Sequence, residues 1–289
     1  MDVGSGDCLA PALIRCRSVI IAAGRTRDRA SMNDNALTNY LPPVLGVAAG
    51  VSRGRVVREG YQRGWGLQYG GLRAKVLADP IYARAVARAE GRLHNFSEDN
   101  RMNLYLILRF FLSRIAHGHI IEFGSFRGGS ALFMASVCSE LCPDVRVYAL
   151  DTYEGMPETD KRVDAHNAGD FRNTSLEDVA AAVVASGLTN IRLVKGLFED
   201  TTPAVLAKAG PIALAHIDCD INSGCRYAEA VIRSNMVEGG YLVFDDATIS
   251  SCIGATEAVE DMIQRDGVFS EQIWPHFVFR HGLVDDSGS

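Results

Sequence analysis

Ile120-Ile121-Glu122-Phe123-Gly124-Ser125-Phe126-Arg127-Gly128-Gly129-Ser130 is the stretch whose reading decides the fold. A short apolar run enters a Gly-rich turn, and a run of helix length follows from Ala131 to about Leu141. The order is strand, turn, helix. Glycines let the backbone pass close to a ligand and permit positive φ. The helix N-terminus offers unpaired N–H groups to an anionic group such as a carboxylate. The spacing is not the dinucleotide pattern G-x-G-x-x-G. Glu122 on the strand favours a cationic partner, an ammonium or a sulfonium, and would repel a pyrophosphate. The plainer reading of Glu122 is a strand-end acid paired with a local Arg such as Arg127.

Downstream the same grammar repeats. Val145 to Leu150 is a second strand, and it ends in Asp151, about 27 residues past Gly124. An acid there can accept hydrogen bonds from both ribose hydroxyls of a nucleoside. Ala213-Leu214-Ala215-His216-Ile217 opens onto Asp218-Cys219-Asp220, and Gly239-Gly240-Tyr241-Leu242-Val243-Phe244 opens onto Asp245-Asp246. Asp218 precedes Asp245 by 27 positions, room for one crossover helix between parallel strands. Carboxylates that converge repel one another unless a cation or proton lies between them. An oxygen-only cluster suits Mg²⁺ or another hard divalent ion. The plainer reading is that Asp is common in loops after strands. On a regular strand Asp218 and Asp220 share a face.

Strands are expected near 119–123, 146–150, 191–195, 212–217 and 241–245. Helices are expected near 129–141, 175–186, 203–208, 225–235 and 254–265. This alternation predicts a doubly wound parallel sheet. Ligands collect at strand carboxyl ends in such a sheet. Glu122, Gly124, Asp151, Asp218 and Asp245 all fall at such ends. Two helices precede the first strand: one from Ile81 to Glu90 behind Asp79-Pro80, and an amphipathic one from about Glu98 to Ala116. The polar stretch from Asp160 to Phe171 reads either as a loop ordered by ligand or as a surface connection. The aromatic tail from Gln272 to Arg280 has strand content.

Six pieces carry a resemblance: Glu122 to Ser130; Asp151-Thr152-Tyr153-Glu154-Gly155-Met156-Pro157; Ser175-Leu176-Glu177-Asp178-Val179; Gly196-Leu197-Phe198-Glu199-Asp200-Thr201; Ile217-Asp218-Cys219-Asp220; and Gly239 to Asp246. In this order they resemble the macrocin-type sugar O-methyltransferases, which depend on S-adenosylmethionine (SAM) and Mg²⁺. The resemblance implies a class I SAM-dependent methyltransferase (Rossmann-like) α/β fold. Its sheet has seven mostly parallel strands with helices on both faces, closed by an antiparallel hairpin that the tail can supply. The methyltransferase domain spans 118–289, behind a helical, lid-like extension over 56–117 and a flexible arm over 1–55.

The resemblance also implies a SAM site at Glu122, Gly124, Ser125, Gly129, Ser130, Asp151, Thr152, Tyr153, Gly196, Phe198 and Asp218. Gly124, Ser125 and Gly129 give backbone room there, Ser130 faces the methionine carboxylate and Asp151 the ribose. Tyr153 covers the ribose or only packs. Mg²⁺ or another divalent cation is expected at Asp218, Asp245 and Asp246. Asp220 acts as general base, or else as a fourth metal ligand or a support for one. The expected acceptor is a sugar hydroxyl of a glycosylated natural product or glycoconjugate, and a homo-oligomer is expected. The chain departs from the family pattern at Ile221-Asn222-Ser223-Gly224-Cys225-Arg226-Tyr227 and at Ala247-Thr248, which bears on the acceptor more than on the reaction. Alternatives are a catechol-type O-methyltransferase and a non-catalytic nucleotide-binding protein on the same fold.

Composition agrees with a globular enzyme: 289 residues, 47% hydrophobic and 22% charged. A net charge of −6 gives no basic surface for nucleic acid. No run approaches the ~18 apolar residues of a membrane span. Residues 1 to about 30 read as a flexible leader, with Met32 a candidate biological start. In 56–75 the aromatics Tyr61, Trp65 and Tyr69 alternate with Gly and Arg, which suits either a substrate cover or an oligomer contact. The seven cysteines include no C-x-x-C pair and are expected as reduced thiols of a cytoplasmic protein. His216, Cys219 and Cys225 match no common zinc spacing.

Overall fold

The computed structural model describes residues 71–115 and 117–282. The readings of the arm over 1–55, of Met32 and of Tyr61, Trp65 and Tyr69 lie outside the described residues. Among the described residues three helices precede the sheet: α1 (Gly71–Leu77), α2 (Pro80–Arg88) and α3 (Glu98–Phe110). Asp79 caps α2 by accepting from the Ile81 N–H, with Pro80 in the first turn, where a missing N–H costs nothing. Ser97 caps α3 through the Asn100 N–H.

The alternating part follows as β1 (His119–Phe123), α4 (Gly129–Leu141), β2 (Val147–Asp151), α5 (Leu176–Ser186), β3 (Ile191–Lys195), α6 (Phe198–Ala209), β4 (Ile212–Ile217), α7 (Asn222–Ile232), β5 (Met236–Phe244), α8 (Ile253–Asp266) and β6 (Phe277–Arg280). One sheet runs in the order β3-β2-β1-β4-β5-β6. Among the strands of the described residues, only the β5–β6 pair is antiparallel. The order reverses between β1 and β4, so the connections leaving these two strands run to opposite faces of the sheet, and a crevice lies between them. One core packs α2, α3 and α4 on the sheet through residues such as Tyr82, Leu104 and Phe133. The other face carries α6, α7 and α8 through Leu206, Ile232 and Val259.

The resemblance implies seven strands; the described residues form six. The missing outer arm of the tail hairpin is reduced to one bridge, Gln272 to Val278. Pro275, just before β6, has no N–H to extend the ladder. Helix α6 starts at Phe198, not near 203. Pro203 lies inside it, and Glu199 and Asp200 supply the acidic first turn that favours a helix start. Strand β5 begins at Met236 because Gly239, at φ 72°, lets it bulge: Ile212 pairs with Met236 but Leu214 with Tyr241. The amphipathic helix stops at Phe110 and gives way to a 3₁₀ turn over Leu112–Arg114.

The polar stretch after β2 is tied down. Asp164 is buried, and its Oδ1 accepts from the Asn222 N–H at 2.8 Å, at the start of α7. Asn190, also buried, donates from Nδ2 to the Ala135 carbonyl in α4 at 2.9 Å, joining that helix to β3. Asn190→Ala is expected to cost about 1–2 kcal/mol by leaving a buried acceptor short of a donor. A urea midpoint lowered at unchanged slope would show it; an unmoved midpoint would refute it.

Candidate active site

The strand carboxyl ends surround one open cleft. Its lining includes Gly124, Ser125, Gly129 and Ser130 from the β1–α4 turn, Asp151 and Thr152 after β2, and Phe198 at the start of α6. Asp218 and Asp220 after β4 and Asp246 after β5 line it as well. Glu122, Tyr153, Gly196 and Asp245 are not among the lining residues.

Asp151 braces the turn. Its Oδ2 accepts from the Ser125 and Phe126 N–H groups at 2.9 and 2.8 Å, and its Oδ1 from the Tyr153 N–H at 2.6 Å. Burial pushes its pKa up, against the pull of those three N–H groups. A carboxylate offers about four acceptor positions, so it retains capacity for a further donor. Tyr153 is buried, and its hydroxyl donates to the Ala149 carbonyl at 3.2 Å. Thr152 donates to the Gly155 carbonyl at 2.6 Å. Phe198 stands edge-on to Phe123 at 5.3 Å between ring centroids.

The room expected beside two glycines is filled by protein. A Cβ on Gly124 would lie 1.7 Å from the Asp218 carbonyl oxygen, and one on Gly129 would lie 2.3 Å from the Arg92 carbonyl oxygen. These glycines let β4 and the segment before α3 close on the turn. The fully buried Glu122 pairs with His216, Oε1 to Nδ1 at 3.0 Å, and not with Arg127. Arg127 instead donates to the Asn173 carbonyl. Oε2 of Glu122 is buried without a partner. Glu122 and Asp245, acting on the imidazole, push His216 up to about 9 against its burial.

Asp218, Asp245 and Asp246 bring carboxylate oxygens within 4.8 Å of one another. Burial, then repulsion from the neighbouring acids, holds Asp218 and Asp246 well above the usual carboxylate range. Asp245 goes the other way: burial opposes its charge, but His216 and His276 outweigh that and hold it low. Its Oδ1 accepts from Asn100 Nδ2 at 2.6 Å and from His276 Nε2 at 2.7 Å. His276 Nδ1 lies 2.8 Å from Asn103 Nδ2, which can only donate, so the imidazole proton sits on Nε2. This all-oxygen set of mutually repelling acids, two of them buried and Asp218 partly so, fits a hard divalent cation.

Asp220 does not continue the strand. β4 ends at Ile217, and Asp220 adopts φ 62°, so the shared face expected for Asp218 and Asp220 does not apply. Its N–H donates to Asp246 Oδ2 at 2.9 Å, which holds its side chain beside the three aspartates. Burial raises its pKa, the trend that suits a proton acceptor working near neutral pH.

Sequence reading missed Asn100, Asn103 and His276 behind Asp245, and Arg92, His94, Asn95 and Phe96 on the cleft wall. A signal existed for the two asparagines. They interrupt the otherwise apolar face of α3 and are buried there beside Leu104 and Ile107, which buried amides do only when bonded.

The model of the macrocin O-methyltransferase (TylF) family matches residues 94–271. A Streptomyces olivaceus 4'-O-methyltransferase, named for 8-demethyl-8-(2,3-dimethoxy-alpha-L-rhamnosyl)-tetracenomycin-C, is 30% identical over 176 residues. That match takes in 57% of this chain and 66% of the relative, just under two thirds of its length. The solved O-methyltransferase NovP has a TM-score of 0.57 at 19% identity, covering 73% of this chain and 94% of its own. CalS11, a calicheamicin methyltransferase, has a TM-score of 0.54 at 21% identity, covering 73% and 90%. Both structures share the class I methyltransferase fold with this chain. With more than half of its length matched by the family model, the chain belongs to the macrocin O-methyltransferase (TylF) family.

Proposed function

We propose that this chain transfers a methyl group from SAM to a sugar hydroxyl of a glycosylated natural product and needs a divalent metal to do so. One observation carries the reading: the Gly-rich turn braced by Asp151 and the carboxylates Asp218, Asp220 and Asp246 line one cleft. The family supports it, as do the names of its relatives, one a rhamnosyl-tetracenomycin methyltransferase and one a calicheamicin methyltransferase.

At the donor end, Ser130 in the first turn of α4 would meet the methionine carboxylate. Asp151 would accept from the ribose hydroxyls with its remaining lone pairs. The unpaired Oε2 of Glu122 supports the choice of a cationic ammonium as neighbour. Gly124, Ser125, Gly129 and Thr152 would form the wall there with Tyr153 and Gly196 supporting it from behind, and Phe198 would border the adenine. At the acceptor end, Asp218, Asp245 and Asp246 would hold the divalent ion, with Asn100 and His276 fixing Asp245. Once bound, such an ion lowers the pKa of an acceptor hydroxyl. Asp220 takes the hydroxyl proton as the oxygen attacks the methyl carbon. SAM, when bound, would supply the methyl group and keep the bonding electron pair on its sulfur as S-adenosylhomocysteine. Oriented reactants supply much of the rate, because the sulfonium methyl is already activated.

The test is S-adenosylhomocysteine release with a panel of glycoside diols. Excess EDTA is expected to bring turnover to background while SAM affinity stays within a few-fold, and added Mg²⁺ is expected to restore it. Full rate in EDTA would remove the metal from the reading; no SAM binding would remove the reading itself. Cytoplasmic placement and assembly as a homo-oligomer belong to the same reading. The first is supported by the free cysteines among the described residues; sedimentation would test the second. No helix among the described residues is long and apolar enough to cross a membrane.

A further inference from the structure

A second donor cluster stands beside the three aspartates. His166 comes from the segment after β2, Asp220 from the end of β4, and Cys252 from the residue that opens α8. Their distances form a closed triangle. Cys252 Sγ lies 3.6 Å from His166 Nε2 and 3.3 Å from Asp220 Oδ1, and His166 Nε2 lies 3.8 Å from Asp220 Oδ1. A tetrahedral ion with bonds of ~2.3 Å to sulfur and ~2.0–2.2 Å to nitrogen and oxygen has edges of roughly 3.4–3.6 Å. The three donors therefore already stand about where such an ion would need them.

Two further observations point to the same ligand. The donor types are one nitrogen, one sulfur and one oxygen, a set that selects zinc and rejects Mg²⁺. Asp218, Asp245 and Asp246 have the opposite chemistry, so the two sites would sort ions by hardness. The second nitrogen of His166 is also engaged: Nδ1 lies 3.2 Å from Asp170 Oδ2. A carboxylate behind the imidazole is what orients metal-binding histidines and sets their tautomer. Three protein donors leave the fourth position of a tetrahedral ion open.

We propose that His166, Asp220 and Cys252 form a zinc-binding site whose occupation shuts off methyl transfer. Binding replaces the thiol proton that now points from Cys252 to Asp220, and that proton leaves to the buffer. Asp220 then gives a lone pair to the ion and can no longer accept a proton from the substrate. The ion also ties the segment carrying His166 to the ends of two other elements. The inhibitory half rests on Asp220 as the base of the proposed function; the binding half does not.

The test uses the full chain in saturating Mg²⁺, titrated with Co²⁺ as a spectroscopic stand-in and with Zn²⁺. One Co²⁺ per chain is expected, with a thiolate-to-cobalt charge-transfer band that Zn²⁺ abolishes and Mg²⁺ does not. Cys252→Ala should remove the band, and His166→Gln, on a partly exposed segment, should weaken Co²⁺ binding at least tenfold. Zn²⁺ should inhibit the unaltered chain at concentrations that leave each variant at its own zinc-free rate. A spectrum without the thiolate band overturns the site. So does a band that survives Cys252→Ala, since the ion would then sit elsewhere, for instance on Cys219 and Cys225, whose sulfurs are 3.6 Å apart. Binding with the band but without inhibition overturns the inhibitory half. Failure of the methyltransferase reading would look different: no turnover without zinc, and an intact cobalt band.

Discussion

Asp220→Asn is expected to lower turnover by about two to four orders of magnitude, the usual worth of a positioned general base. The amide keeps the size and shape of the carboxylate, and the bond that places the residue is made by its backbone N–H to Asp246 Oδ2. The left-handed conformation at φ 62° is one that Asn tolerates as well as Asp. Position is therefore kept and basicity lost. SAM and Mg²⁺ affinities, read by calorimetry, should stay within a few-fold of the unaltered chain. Undiminished turnover would exclude Asp220 as the base. A metal affinity reduced a hundredfold, with turnover rescued by high Mg²⁺, would make it a metal ligand.

Gly124→Ala is the second large effect, and it acts on both fold and site. The residue sits at φ 89°, where an L side chain is strained, and the added methyl would lie 1.7 Å from the Asp218 carbonyl oxygen. That oxygen is backbone at the end of β4, so it cannot swing aside as a flexible side chain would. Relief requires β1 and β4 to part where Asp218 leaves the sheet. Overpacking of this kind costs about 1–3 kcal/mol. In a domain of this size that lowers Tm by roughly 2–12 °C. Moving Asp218 should also cut turnover at least a hundredfold, since misplacement by ~1 Å at a reacting centre has that effect. Calorimetry and a single-turnover assay read the two losses separately. Native Tm together with native turnover would show that the strand ends adapt without cost.

What the sequence disclosed and what it hid divide along physical lines. β1 and α4 are legible to within about two residues, because a strand, a Gly-rich turn and an apolar helix are signals carried within a few positions. The convergence of Asp218 and Asp246 followed from parallel topology, which puts every strand's carboxyl end on one edge. The partners of Glu122 and Asp245 were hidden. His216 stands 94 positions from Glu122, and Asn100 stands 145 positions from Asp245. No local pattern carries information over such distances. The start of α6 was misread because Pro203 reads as a helix opening, whereas the acidic pair Glu199 and Asp200 had already opened it. The spaces beside Gly124 and Gly129 were assigned to ligand because a sequence does not show which backbone will approach a glycine.

The margins of the sheet constrain how copies of this chain can associate. β3 stands at one margin with Arg192 and Lys195 among its five residues, and β6 at the other with four residues, closed by Arg280 and preceded by Pro275. Short, charged, proline-bounded margins discourage a neighbouring chain from adding its own strand. Two copies would more readily meet through helical surfaces, where Leu72, Val184 and Ile253 lie open. Joined that way, each copy would keep its own cleft at the strand ends, and association need not open the sheet that holds it in register.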